Sequence, residues 1–152
     1  MIYADTSFLF SLYAWDDNNQ IASRTYDGDA RRPLIFTPWQ RFEVRNTVRL
    51  AHNRLRRAGQ VVPFQIGNVF KRIDHDVAEG RLKHESPAWR DAFGIAEELS
   101  ERYTQALGVA AVDLWHVATA ALLRADTFWT FDGEQHALAK AVHRFRHVPR
   151  LI

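Results

Sequence analysis

The chain has 152 residues, 47% of them hydrophobic, with ten Phe, five Trp and no Cys. That size and apolar content suit one folded domain with its own core. The absence of Cys excludes disulfides and thiolate metal sites and fits a reducing compartment. Net charge is only +2, so no global excess of charge names a partner.

Residues 2–4 read as a short buried strand, and residues 6–13 as a helix in which Phe8, Leu9 and Phe10 resume the apolar run. Asp5 stands between them, where its flanks ask for a core. A buried carboxylate costs free energy unless it is paired or holds a metal. The N-terminal run has no basic leader and is broken by Asp5, so it does not read as a signal peptide. No stretch reaches the length of a membrane span, and the expectation is a soluble cytoplasmic protein with no membrane partner. Asp16-Asp17-Asn18-Asn19 marks a polar turn or cap, and it lacks the glycine and distal Glu of a calcium loop.

Residues 33–37 form a second short strand, followed by a long helix over about 38–58. Val44, Val48, Ala51 and Leu55 give that helix one apolar face. Pro38 near its start and Gly59 past its end are the expected punctuation. Three of the twenty basic residues are Lys, leaving seventeen Arg, and six of these fall between Arg41 and Arg57. Arg41, Arg45 and Arg49 recur every four residues. A phosphate-contacting stripe and a solvated face with internal ion pairs are both open for them.

A further helix runs to Gly80, with Pro63 in its first turn and Ile66, Val69, Phe70, Ile73 and Val77 at helical spacing. Ser86-Pro87 predicts an N-cap and first helical position, and Trp89, Ala92, Ala96, Leu99 and Tyr103 line the next helix. Residues 107–111 read as a short strand or extended loop, and 113–124 as an Ala-rich helix. Residues 127–131 are strand-like, 132–142 helical, and 145–148 are a candidate last strand. Strands alternating with helices predict an α/β fold: a central parallel sheet of four to five short strands, covered by helices in three α/β/α layers.

In such sheets, sites form at the carboxyl ends of the strands. Asp5 ends the first strand, Glu43 lies in the first turns of the helix after the second, Asp113 opens its helix, and Asp132 ends the 127–131 strand. Each alone admits a bland role, as a helix cap or a complement to a helix dipole. Together they are candidates to converge. Four carboxylates in one cleft repel one another unless a hard cation such as Mg²⁺ or Mn²⁺ joins them. An acid-lined metal cleft without His or Cys ligands suits phosphoryl chemistry. With the four acids set aside, the net charge of +2 becomes +6, a basic body that suits a nucleic-acid substrate. His116, three residues after Asp113, is open as a general acid or as a core histidine. The seven histidines form no HExxH-type zinc motif.

Several stretches carry a family resemblance: Tyr3-Ala4-Asp5-Thr6-Ser7, Phe42-Glu43 with Asn46, residues 112–120 (VDLWHVATA), and residues 127–132 (TFWTFD) with Gln135. By these the chain resembles PIN-domain ribonucleases, and among them the VapC-type toxins of toxin–antitoxin pairs. The resemblance runs from end to end as a single domain over 1–152, although the middle, about 54–103, matches only as helices. It implies an Mg²⁺- or Mn²⁺-dependent endoribonuclease that cuts RNA by attack of a metal-activated water on a backbone phosphodiester, leaving a 5′-phosphate and a 3′-hydroxyl. It implies inhibition by a VapB-type antitoxin, and assembly as a homodimer. It assigns Asp5, Glu43, Asp113 and Asp132 as catalytic metal ligands, with Thr6 and Thr130 supporting the carboxylates. Two alternatives stay open: a PIN-domain nuclease of RNA processing, and a non-catalytic binding module whose acids are only caps.

Overall fold

The computed structural model describes residues 1–29 and 32–151. Four strands form the sheet: β1 (Ile2–Ala4), β2 (Leu34–Phe36), β3 (Leu82–His84) and β4 (Thr127–Trp129). They lie in the order β3-β2-β1-β4 and every pairing is parallel, with Tyr3 opposite Ile35 on one side and Phe128 on the other. The helices are α1 (Thr6–Tyr13), α2 (Asn19–Gly28), α3 (Pro38–Arg57), α4 (Ile66–Ala78), α5 (Trp89–Leu99), α6 (Gln105–Leu107), α7 (Ala111–Leu122) and α8 (Gly133–Ala141). A π-helical turn, Ser100–Thr104, joins α5 to α6. Among the described residues no helix is long and apolar enough to cross a membrane.

Pleat alternation divides the core into two layers. Ile2, Ala4, Leu34, Phe36 and Trp129 belong to one cluster, with Phe8, Leu9 and Leu12 of α1, Val44 and Val48 of α3, and Val69 and Ile73 of α4. Tyr3, Ile35 and Phe128, one residue out of step, belong to the other, with Leu114, Val117 and Ala118 of α7 and Leu138 of α8. A sheet whose neighbouring residues alternate between two buried clusters has helices on both faces, and its strands therefore read as unbroken apolar runs. The expected three layers and parallel sheet are present.

Several local expectations need correction. Helix α2 fills a span with no assigned element, because only Ala22 and Tyr26 are buried along it and its apolar stripe is thin. Strand β3 adds a strand where none is expected: Leu82 alone is buried in the sequence Leu-Lys-His, as suits an edge strand with two exposed positions. Ser86-Pro87 does not start α5, whose N-cap is Ala88. Pro63 precedes α4, which begins at Ile66. Residues 107–111 are not a strand, since a helix ends at Leu107, Gly108 takes a left-handed φ of +69°, and α7 begins at Ala111. The strand over 127–131 stops at Trp129. The segment 145–148 contributes only one parallel bridge, from His147 to Thr127.

Candidate active site

The carboxyl ends of β1 and β4 lead straight into helices, and those junctions place the acids. Asp5 is the N-cap of α1: Phe8 N–H donates to its Oδ1 at 2.9 Å. Asp132 is the N-cap of α8, accepting from Gln135 N–H at 2.8 Å. Asp113 is not a cap but the third residue of α7, where Oδ2 reaches back to accept from Ala110 N–H at 3.0 Å. Glu43 lies in the second turn of α3, beyond the turn where a helix dipole favours acids most. That helix is started by a capping box between Thr37 and Gln40, and Gln40 also donates to the Ala4 carbonyl at 2.6 Å. The start of α3 is thereby tied to the end of β1.

These four acids line one cleft of about 480 Å³ together with Thr6, Ser7, Asp16, His116 and Gln135. Asp5 lies deepest, at 1% exposure. Ser7 donates to both of its oxygens at 2.7 and 2.8 Å, and Thr130 donates to Oδ2 at 2.8 Å. Among the described residues no Lys or Arg bond to it is seen, and burial pushes its carboxyl above the usual range, against the pull of these hydrogen bonds. Glu43 behaves oppositely. Burial raises its carboxyl too, but the hydrogen bonds from His116 and Thr6 outweigh burial and hold it below the usual range. His116 Nε2 lies 2.8 Å from Glu43 Oε2, the oxygen to which Thr6 also donates. Two neighbouring carboxyls driven in opposite directions are a common mark of a reactive site.

Thr6 serves Glu43 and Thr130 serves Asp5. Thr130 Oγ1 also accepts from Asp132 N–H at 2.8 Å, linking two of the acids. Three further residues had no predicted role. Gln135 donates from Nε2 to Asp113 Oδ1 at 2.9 Å while its backbone serves Asp132. Its place three residues after a capping Asp is a readable signal, although the side chain turns to Asp113 instead of back to the cap. Ser7 bonds Asp5 and accepts from Phe131 N–H. Asp16, read as a turn, is a fifth acid on the cleft wall, held by Ser11 and by Asn18 N–H. Nothing local in the sequence distinguishes such a turn acid from an ordinary one.

The donor set is all hard oxygen, the chemistry that Mg²⁺ and Mn²⁺ prefer. As the side chains lie, no three acidic or imidazole groups among the described residues stand close enough to hold one ion. The oxygens of Asp5 and Asp113 are turned to backbone and side-chain donors instead. Asp132 accepts the Gln135 N–H on Oδ1, and Glu43 takes His116 and Thr6 on Oε2. The residues fit a hard cation in kind, and rotation of short carboxylate arms is what gathering them round one requires.

The arginine stripe is largely internal. Arg45 donates both its bonds to Asp74 at 2.6 and 2.8 Å, and Arg41 reaches the same carboxylate at 3.3 Å. Arg45 and Arg49 both stack over the Phe70 ring.

The PIN domain family model matches residues 2–141, a span holding the whole sheet and all four acids. No curated protein matches the chain. PIN domains are generally nucleases, they typically use divalent metal ions, and they act on nucleic acid. A match over nearly the full length, on a parallel sheet with carboxylates at its carboxyl end, shows that the chain belongs to the PIN domain family.

Proposed function

We propose that this chain is an Mg²⁺- or Mn²⁺-dependent endoribonuclease, the toxin of a VapBC-type pair, acting as a single cytoplasmic domain over residues 1–152. The observation that carries the reading is the meeting of Asp5, Glu43, Asp113 and Asp132, from four separate elements, in one cleft. A divalent cation held among them would make water nucleophilic at neutral pH and offset charge on the scissile phosphate. Asp113 and Asp5 supply the innermost oxygens. Glu43 is already held in its ionised form, and Asp5 is the acid whose ionisation a cation favours. Ser7 and Thr130 hold the Asp5 carboxylate in place. A VapB-type antitoxin closing the cleft and pairing of two copies of the chain complete this reading.

The test uses the purified chain and a single-stranded RNA. Cleavage should require Mn²⁺ or Mg²⁺ and vanish with chelator, and Asp113→Asn should abolish it in a folded protein. Co-expression of the adjacent small gene should relieve growth arrest. If arrest is absent but cleavage persists, an RNA-processing nuclease replaces the toxin.

A second reading, a binding module whose acids are only caps, draws support from Asp5, Asp113 and Asp132 each satisfying a helix N-terminus. It predicts no thermal stabilisation by Mn²⁺ and no change in metal uptake on Asp5→Asn.

A further inference from the structure

Glu43 differs from the other three acids in reach. Its side chain is one carbon longer than an Asp, more flexible, and rooted in the second turn of α3. Among the described residues two hydrogen-bonding partners hold it, and both sit on the same oxygen. Thr6 donates to Oε2, and His116 Nε2 lies 2.8 Å from Oε2. An ionised carboxylate only accepts hydrogen bonds, so His116 must carry its proton on Nε2. In a neutral ring Nδ1 is then an acceptor, and the Tyr3 hydroxyl stands 2.9 Å from Nδ1 to donate to it. Tyr3 is fully buried and His116 nearly so.

The chain of bonds closes on itself. Tyr3 in β1 lies two residues before Asp5, and Thr6 directly follows it. His116 follows Asp113 by three residues on α7, one turn away on the same side of the helix. The circuit Tyr3–His116–Glu43–Thr6 therefore joins the three segments that carry Asp5, Glu43 and Asp113.

We propose that Tyr3 and His116 are positioning residues for Glu43: Tyr3 fixes the tautomer and ring plane of His116, and His116 clamps Glu43 Oε2 so that Oε1 serves the cleft. This rests on the reading of the cleft as a metal-dependent nuclease site. A histidine that merely fills the core would hold the fold without governing what Glu43 does.

Two measurements test it. The first needs no metal. In ¹⁵N-labelled protein at neutral pH, the His116 imidazole should show the Nε2–H tautomer, and Tyr3→Phe should perturb its Nδ1 resonance. Tyr3→Phe deletes only the hydroxyl and keeps the ring stacked 5.6 Å from Phe128. An Nδ1–H tautomer in the native protein overturns the proposal. The second is Mn²⁺ titration by calorimetry. His116→Ala should weaken Mn²⁺ binding about 10- to 100-fold, the scale for a residue that orients a metal ligand, and His116→Gln, which restores a donor near the Nε2 position, should recover part of the loss. Tyr3→Phe should weaken it less, and should add nothing on top of His116→Ala. Should the native chain bind Mn²⁺ while Tyr3→Phe and His116→Ala both fold and bind it equally well, the brace is wrong and the nuclease reading stands. If the native chain takes up no Mn²⁺, the nuclease reading fails and takes the brace with it.

Discussion

Asp5 and Asp76 are both buried carboxylates, 1% and 8% exposed, and their surroundings are built on opposite lines. Asp76, on α4, accepts the Tyr13 hydroxyl at 2.7 Å and faces the Arg81 guanidinium at 3.4 Å. Its other acidic neighbour is the weak phenol of Tyr26, pushed up to about 12 by burial and by the Asp76 charge. Asp5 receives hydroxyls and a backbone amide, with no Lys or Arg bond to it seen among the described residues, and it shares its cleft with Glu43, Asp113, Asp132 and Asp16. The first arrangement neutralises a buried acid from within the chain. The second leaves its acids to one another, the arrangement that a cation from outside would answer under the proposed function. Burial alone therefore does not separate the two acids; the partners each one finds within the chain do.

That contrast breaks most sharply on activity. Asp113→Asn should lower RNA cleavage by at least about a hundredfold, as loss of a charge-stabilising group at the reacting atoms does. Asp76→Ala, corrected for folded fraction, should leave the rate constant unchanged. A rate loss at Asp76 matching that at Asp113 would mean that the two seams are not distinct in function. On stability the order reverses. Asp76→Ala strands a buried Tyr13 hydroxyl and should cost about 2 kcal/mol in denaturant unfolding.

Asp5→Asn, without divalent cation, should stabilise the chain at neutral pH by on the order of 1 kcal/mol. The sign follows from its raised carboxyl. The folded chain keeps a proton there at pH values where the unfolded chain has released it, so native stability falls as pH rises through that window. The Asn variant lacks this fall. The two proteins should agree below the ordinary carboxylate range and diverge above it, and Mn²⁺ should reverse their order. Parallel pH profiles would show that the burial of Asp5 is relieved by a partner other than a cation. The smallest effect belongs to the arginines: a double-mutant cycle on Arg45 and Asp74 should give a coupling below about 1 kcal/mol, since Asp74 is half exposed. A larger salt-dependent loss of RNA binding in Arg45→Glu would return the stripe to substrate contact.

Legibility followed the same division. Asp5 was readable because it interrupts an apolar run, where a charge demands a reason, and Glu43, Asp113 and Asp132 only jointly with it, from their places at strand ends and in the first turns of helices. Asp16 sits in a polar turn where a carboxylate is unremarkable, and only the path of the chain brings it to the cleft wall. Strand β3 escaped because an edge strand buries one side chain of three. The aromatic face around Trp115 was equally silent. Trp89 stacks on Trp115 at 5.4 Å and Phe93 packs at 4.6 Å, yet Trp89 and Phe93 remain exposed. An aromatic residue spaced for a helix looks the same whether its face is covered or open.

The order of residues by itself determined the layers, the parallel sheet and the standing of four acids at the ends of strands and starts of helices, because these follow from short-range rules: apolar period, caps at strand ends and the cost of a lone buried charge. Tertiary structure alone decided which acid has which partner. That His116 bonds Glu43 across 73 positions, that Tyr3 bonds His116 across 113, and that Asp74 takes up Arg41 and Arg45, depends on strand order and helix crossing. Hydrogen bonds and ion pairs act over a few ångströms, and no local pattern in the chain records which distant residues will come within that range.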